Sequence, residues 1–170
     1  MQPGSLVPHR RGRLTLRMHL IVVAVVALVL GFVAIGRPAH AAATLLSQGR
    51  PATASSTENA TFPAANAVDG NTGTRWSSAF ADPQWIQVDL GATHTVTRVV
   101  LNWEAAYGRS FQIQTSPDGN TWTTIFSTTT GTGGVQDLTV SGSGRFVRMN
   151  GTVRGTPYGY SLWEFQVYGS

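Results

Sequence analysis

From Ala42 onward the sequence predicts an all-β sandwich. Short runs rich in Val, Ile, Thr and aromatic residues recur, and several alternate apolar with polar side chains at period two. Turn-forming clusters separate these runs at regular intervals, and no apolar 3.6-residue period occurs among them.

The residues before Ala42 follow another pattern. Arg10, Arg11, Arg13 and Arg17 make the first stretch basic, and a nearly unbroken apolar run follows from Leu20 to Ile35. Gly36-Arg37-Pro38 then leads into the small residues Ala39-His40-Ala41-Ala42-Ala43. A basic region, an apolar region and an Ala-x-Ala site form a secretory signal peptide over residues 1–41, cleaved after Ala41 or alternatively after Ala43. The apolar run approaches spanning length, so a retained anchor is the competing reading. Arg10-Arg11 suggests twin-arginine export, although Gly12 stands where that signal usually has a bulky residue. Residues 42–170 are then one secreted domain, long enough to bury a single core.

The leader also decides the charge. The chain carries 12 Lys+Arg, all arginine, against 8 acids, for a net +4. Five arginines fall in the leader and every acid falls after it, which turns the +4 into −1 for the mature chain. The basic balance therefore belongs to the export signal, and neither nucleic acid nor lasting membrane contact is expected. Cysteine is absent, so export brings no disulfide.

Ala42 to Gln48 is a short lead-in, and residues 49–63, rich in Ser, Thr, Ala and Pro, form an extended edge and a loop. In Trp85-Ile86-Gln87-Val88-Asp89-Leu90 the apolar Ile86, Val88 and Leu90 share one strand face. Val96 to Trp103 is rich in β-branched residues, and Ser110 to Thr115 alternates through Phe111 and Ile113. In Ser116-Pro117-Asp118-Gly119-Asn120, Pro presets φ and Gly supplies φ > 0 for a turn. Trp122–Ser127, Val135–Val140, Arg145–Asn150 and Trp163–Tyr168 complete the strands, with Thr128–Gly134 as a loop.

Ala67-Val68-Asp69-Gly70-Asn71-Thr72-Gly73-Thr74-Arg75-Trp76 suits neither a helix nor a strand interior. Gly70 and Gly73 permit φ > 0, and Asp69 and Asn71 favour turns. A loop so rich in carbonyl and side-chain oxygens can curl around a hard cation such as calcium. Trp76, which ends the loop, is expected in the core, as are Trp122 and Trp163.

No catalytic set is recognisable. The mature chain has one histidine, His94, in a turn expected at the surface. Gly131-Thr132-Gly133-Gly134 lacks the lysine and helix of a phosphate loop. Glu58 and Glu104 could form a glycosidase pair, but the expectation is a non-enzyme. Phe62, Phe80, Tyr107, Tyr158 and Tyr160 fall in loops, mixed with Glu58, Arg75, Glu104, Arg109 and Arg154. Flat apolar rings beside charged hydrogen-bonding groups suit a pyranose; equally, such rings could cap the ends of a sandwich.

Asn66-Ala67-Val68-Asp69-Gly70-Asn71 through Thr74-Arg75-Trp76 and Pro83-Gln84-Trp85-Ile86-Gln87-Val88-Asp89-Leu90-Gly91 carry a family resemblance. So do Arg145-Phe146-Val147-Arg148 and Leu162-Trp163-Glu164-Phe165-Gln166-Val167-Tyr168-Gly169. Together they resemble the coagulation factor five/eight type C (discoidin) domain, over about Leu45 to Gly169. Trp103-Glu104-Ala105-Ala106-Tyr107-Gly108 and Tyr158-Gly159-Tyr160-Ser161-Leu162-Trp163 are similar to its bacterial branch, carbohydrate-binding module family 32, nearest the chitosan-binding modules of chitosanases and glucanases. The resemblance implies an eight-stranded jelly-roll of the galactose-binding type, monomeric and binding its ligand through loops at one end. It implies a structural calcium held by the Asp69 and Glu164 side chains, by Thr74, and by the carbonyls of Asn66, Asn71 and Trp163. It places the sugar on Glu58, Arg75, Phe80, Glu104 and Tyr160, with Tyr158 and Arg154 beside them. The partner so implied is a polysaccharide of chitosan or β-glucan type; the alternative is a discoidin-like module that adheres to protein or phospholipid.

Overall fold

The computed structural model describes residues 43–170; the signal peptide expected over residues 1–41, with cleavage after Ala41, lies outside them. Eight strands run β1 (Thr44–Leu45), β2 (Ala52–Ala54), β3 (Trp76–Ser77), β4 (Gln84–Trp103), β5 (Gly108–Ser116), β6 (Thr123–Thr128), β7 (Val135–Arg154) and β8 (Ser161–Gly169). A 3₁₀ helix, Ala64–Val68, precedes the Asp69 loop. All the strand pairings are antiparallel, and the order is β1-β8-β4-β7-β5-β6, with β2 added to β4 and β3 to β8.

The jelly-roll sandwich expected from the sequence is the observed fold, with one instructive difference. Trp85–Leu90 and Val96–Trp103 belong to a single strand of 20 residues, and so do Val135–Val140 and Arg145–Asn150. Each long strand serves both layers. The first half of β4 pairs with β2 and the end of β7, which pairs in turn with β5. The second half of β4 pairs with β8 and the start of β7. Between the halves the ladder shifts register from Asp89 to His94, and Gly91 takes φ +85° at the bend. Pairing resumes at once at His94↔Gly144, so the strands turn the corner without breaking. His94 is thus a half-exposed strand residue rather than a turn residue.

The alternation read in the sequence fills the space between the layers. Ile86, Val88, Leu101, Phe111, Ile113, Met149 and Phe165 are all buried there. Trp76 is fully buried, and its indole N–H donates to the Ser56 carbonyl at 3.1 Å. Trp122 and Trp163 are half-exposed, contrary to expectation. Trp122 lies against the Arg148 guanidinium, 3.9 Å from its ring centroid. Trp163 occupies a bulge: Asn102 pairs with Glu164 and Trp103 with Leu162, leaving Trp163 without a cross-strand partner.

Candidate functional site

A cavity of about 260 Å³ opens where the loops after β2, β3, β4 and β7 converge. Glu58, Arg75, Phe80, Glu104 and Tyr158 line it, together with Ser77, Ala105 and Ala106. Backbone bonds lace these loops together: Glu58 N–H donates to the Ser77 carbonyl, Glu104 N–H to Ser161, and Ser161 N–H to Ala106, all within 3.0 Å. The side chains are therefore placed by a crosslinked rim rather than by free loops.

Each charged group at the rim is held. The Arg75 guanidinium lies 3.7 Å from the Phe62 ring centroid, donates to Ser161 Oγ at 2.8 Å and comes within 3.9 Å of Glu58. Glu104 accepts from the Ala106 N–H at 3.1 Å. Phe80 and Tyr158 meet edge to face at 5.8 Å and remain mostly exposed. Two carboxylates and one guanidinium give the cavity an excess of one negative charge beside an open aromatic pair.

Tyr160 lies in the loop before β8 as expected, but its side chain turns inward and does not line this cavity as the sugar-site reading placed it. The side chain is fully buried, its hydroxyl donates to Asp82, and burial with that contact raises the phenol pKa. Arg154 is also a brace. It donates to Asp82 Oδ2 at 3.3 Å and to the carbonyls of Pro157 and Tyr158, fixing the turn that presents Tyr158. Neither Tyr160 nor Arg154 lines the cavity. Ser77, Ala105 and Ala106 were missed because small residues carry no chemical signal in a sequence. The Asp82 bridge was missed because residues 78 positions apart share no pattern.

The Asp69 loop and Glu164 come together. Asp69 accepts from the Asn71 N–H at 2.8 Å and from Thr74 Oγ1 at 2.7 Å, and Thr74 Oγ1 also reaches the Asn71 carbonyl. Gly70 takes the anticipated φ of +80°, whereas Gly73 does not need φ > 0. Glu164 is buried, and its Oε1 has no hydrogen-bond partner. Burial first, and the Asp69 charge second, push its carboxyl up to about 7, while the Gly70 and Asn71 N–H groups pull it back in part. An orphaned buried oxygen facing a second carboxylate fits a cation. No three His, Asp or Glu side chains cluster among the described residues, so the other donors would be a hydroxyl and peptide carbonyls. The bulge leaves Trp163 outside the ladder, and its carbonyl would be one of these. The Asn66 side-chain NH2 donates to the carbonyls of Thr61 and Arg75, which anchors the residue at the edge of this loop.

Solved structures share this fold. The crystal structure of chitosan-binding module 1 from the chitosanase/glucanase of Paenibacillus sp. IK-5 is 56% identical, with TM-score 0.72, and the match covers 74% of this chain and 99% of the module. Module 2 of the same enzyme, in complex with chitotriose, is 48% identical with TM-score 0.70, covering 73% and 99%. The family 32 module from Clostridium perfringens NanJ, in complex with galactose, is 22% identical with TM-score 0.65, a likeness of fold alone. Among curated proteins, the polysaccharide lyase 8 family protein HylA of Enterococcus faecalis is 38% identical over 73 residues, and this chain spans 5% of its length. The F5/8 type C domain model matches residues 51–165, from just before β2 into β8, and the chain belongs to that family.

Proposed function

We propose that this chain is a secreted, non-catalytic carbohydrate-binding module whose loop cavity takes a glucosamine-bearing chain such as chitosan. The observation that carries the reading is the pairing of Glu58 and Glu104 around one cavity with Phe80 and Tyr158 at its mouth. The rings offer a platform for the apolar face of a pyranose, and a carboxylate gives the glucosamine ammonium a charge-assisted hydrogen bond. The likeness to two chitosan-binding modules supports the amine-bearing ligand over a neutral glucan at this site.

Calorimetry with the glucosamine hexamer and its N-acetylated counterpart tests this. The amine form should bind at least tenfold more tightly, and Glu58→Gln and Glu104→Gln should remove most of the difference. Equal binding of the two hexamers by the wild type would overturn the ammonium reading. Release of reducing sugar from chitosan would overturn the non-catalytic one.

The reading includes a structural calcium at Asp69, Thr74 and Glu164, completed by the Asn66, Asn71 and Trp163 carbonyls. Bound there, the ion would neutralise two facing carboxylates and tie the Asp69 loop to β8. These residues would hold the metal while Arg75, the next in sequence after Thr74, faces the sugar cavity.

A further inference from the structure

The outer face of the layer containing β5 and β6 has a composition that neither the cavity nor the fold explains. Strand register aligns Trp85, Asn150, Gln112 and Ser127 in one row across β4, β7, β5 and β6. The next row is Gln87, Arg148, Gln114 and Thr124. Directly paired residues share a sheet face, so each row is a line of side chains about 4.8 Å apart, all amides and hydroxyls except Trp85 in the first and Arg148 in the second. That spacing is close to one pyranose of an extended β-linked glycan.

Aromatic rings flank the rows. Arg148 sits 3.9 Å from the Trp122 centroid and 6.0 Å from that of Trp85, and its Nε donates to Gln114 Oε1 at 2.8 Å. Gln114 passes a bond on to Gln112 Oε1 at 2.9 Å. The one cation in the two rows is therefore sheathed within the face. Beyond the rows, Asp89 and Arg145 neutralise each other at 2.7 Å. Gln87 and Asn150, both half-buried, have no side-chain hydrogen bond among the described residues. At the end of the rows a groove of about 530 Å³ is lined by Ser110, Gln112, Thr128, Thr130 and Thr152.

Charge complementarity selects the occupant. The loop cavity has surplus negative charge, whereas the rows of this face hold no acid and their one cation, Arg148, is covered by indole and bonded to Gln114, so the face presents amides, hydroxyls and indole rings. We propose that it is a second glycan site, for an uncharged β-linked polysaccharide lying across β4, β7, β5 and β6. Trp85 and Trp122 are its stacking rings, and Gln87, Asn150 and Gln112 bond the sugar hydroxyls. The site is independent of the loop cavity.

Titration of ¹⁵N-labelled protein with laminarihexaose, cellohexaose and N-acetylchitohexaose tests it. At least one of these should shift the amides of Gln87, Gln112 and Asn150 and the Trp85 indole. Asn150→Ala and Gln87→Ala, whose side chains hold no hydrogen bond within the fold, should each weaken that ligand about fivefold, equivalent to about 1 kcal/mol. Glu104→Gln should leave it within twofold. Trp85→Ala should abolish it, and the two polar variants keep the test decisive if Trp85→Ala fails to fold. Shifts confined to the Glu58, Arg75 and Glu104 loops, or none on this face at millimolar ligand, would overturn the proposal. Glucosamine hexamer run in parallel reports the cavity separately, so the failure of either site is distinguishable from that of the other.

Discussion

The ring of Tyr160 occupies the space that a side chain at Gly151 would fill. A Cβ built on Gly151 would lie 2.2 Å from Tyr160 Cε1 and 2.5 Å from Cζ. The ring cannot retreat, because it is fully buried and its hydroxyl is held by Asp82. Gly151→Ala should therefore destabilise the domain by roughly 1–3 kcal/mol, the usual range for overpacking. Denaturant unfolding measures it, and an unchanged midpoint would show that the ring has room.

Tyr160→Phe separates structure from recognition. The variant keeps the ring and removes the bond to Asp82, costing about 1.5–3 kcal/mol for a hydrogen bond to a charged group. Glucosamine-hexamer affinity should stay within threefold of wild type, because the side chain is absent from the cavity lining. A tenfold loss of affinity without loss of stability would restore Tyr160 to the sugar site.

Phe80→Ala and Tyr158→Ala should behave in the opposite way. Both rings are exposed, at 52% and 60%, so their removal leaves the core untouched. Each should weaken glycan binding about tenfold, near the upper end for an aromatic contact, with the melting temperature unchanged. Calorimetry and thermal melts on the same samples check both halves.

Calcium removal should be visible as lost stability. At a hundredfold excess over Kd, a ligand bound only by the native state adds about 2.7 kcal/mol. For a domain of this size that is on the order of 10 °C. Chelator should reverse the gain. Glu164→Gln removes a buried charge that faces Asp69, so in chelator it should melt above the wild type, and in calcium below it. A variant that responds to calcium as the wild type does would rule Glu164 out as a ligand.

Acid should weaken the fold below about pH 4. Asp89 is held below the usual carboxylate range by its bond to Arg145, Asp137 by its bond to Arg98, and Asp118 by the N–H groups of Thr121 and Asn120. A depressed carboxylate stabilises the native state above its unfolded pKa, and that contribution fades as pH falls through the folded value. Asp118→Asn keeps an oxygen for the turn and removes the titration, so its melting temperature should fall less steeply than that of the wild type between pH 4 and 2. Asp118 and Asp137 are exposed, so added salt should shrink the effect of the Asp137–Arg98 pair more than that of the half-covered Asp89–Arg145 pair.

Much of this was legible in the sequence because it is periodic or local. The alternation from Ile86 to Leu90 fixes which face is buried, and Pro117-Asp118-Gly119 fixes a turn whatever surrounds it. The Asp69 loop declared its oxygens, and the cavity gathers Glu58, Arg75, Phe80, Glu104 and Tyr158 from four loops as the family pattern suggested. What stayed hidden depends on tertiary contact. Nothing local tells that Tyr160 turns inward while Tyr158, two residues earlier, turns out. Nor does it show that Gly91 and the residues around it bend a strand without ending it, because a glycine reads equally as a break. The outer-face rows exist only once β4, β7, β5 and β6 are in register.

The two 20-residue strands have a consequence for how the domain comes apart. Since β4 and β7 each contribute hydrogen bonds to both layers, neither layer can dissolve and leave the other with a complete sheet. Amide exchange from Val88 in one layer and Val99 in the other should share a single opening free energy equal to that of global unfolding. The Gly91 bend carries the chain from one layer into the other without breaking either ladder, so the sandwich yields as one cooperative unit or not at all.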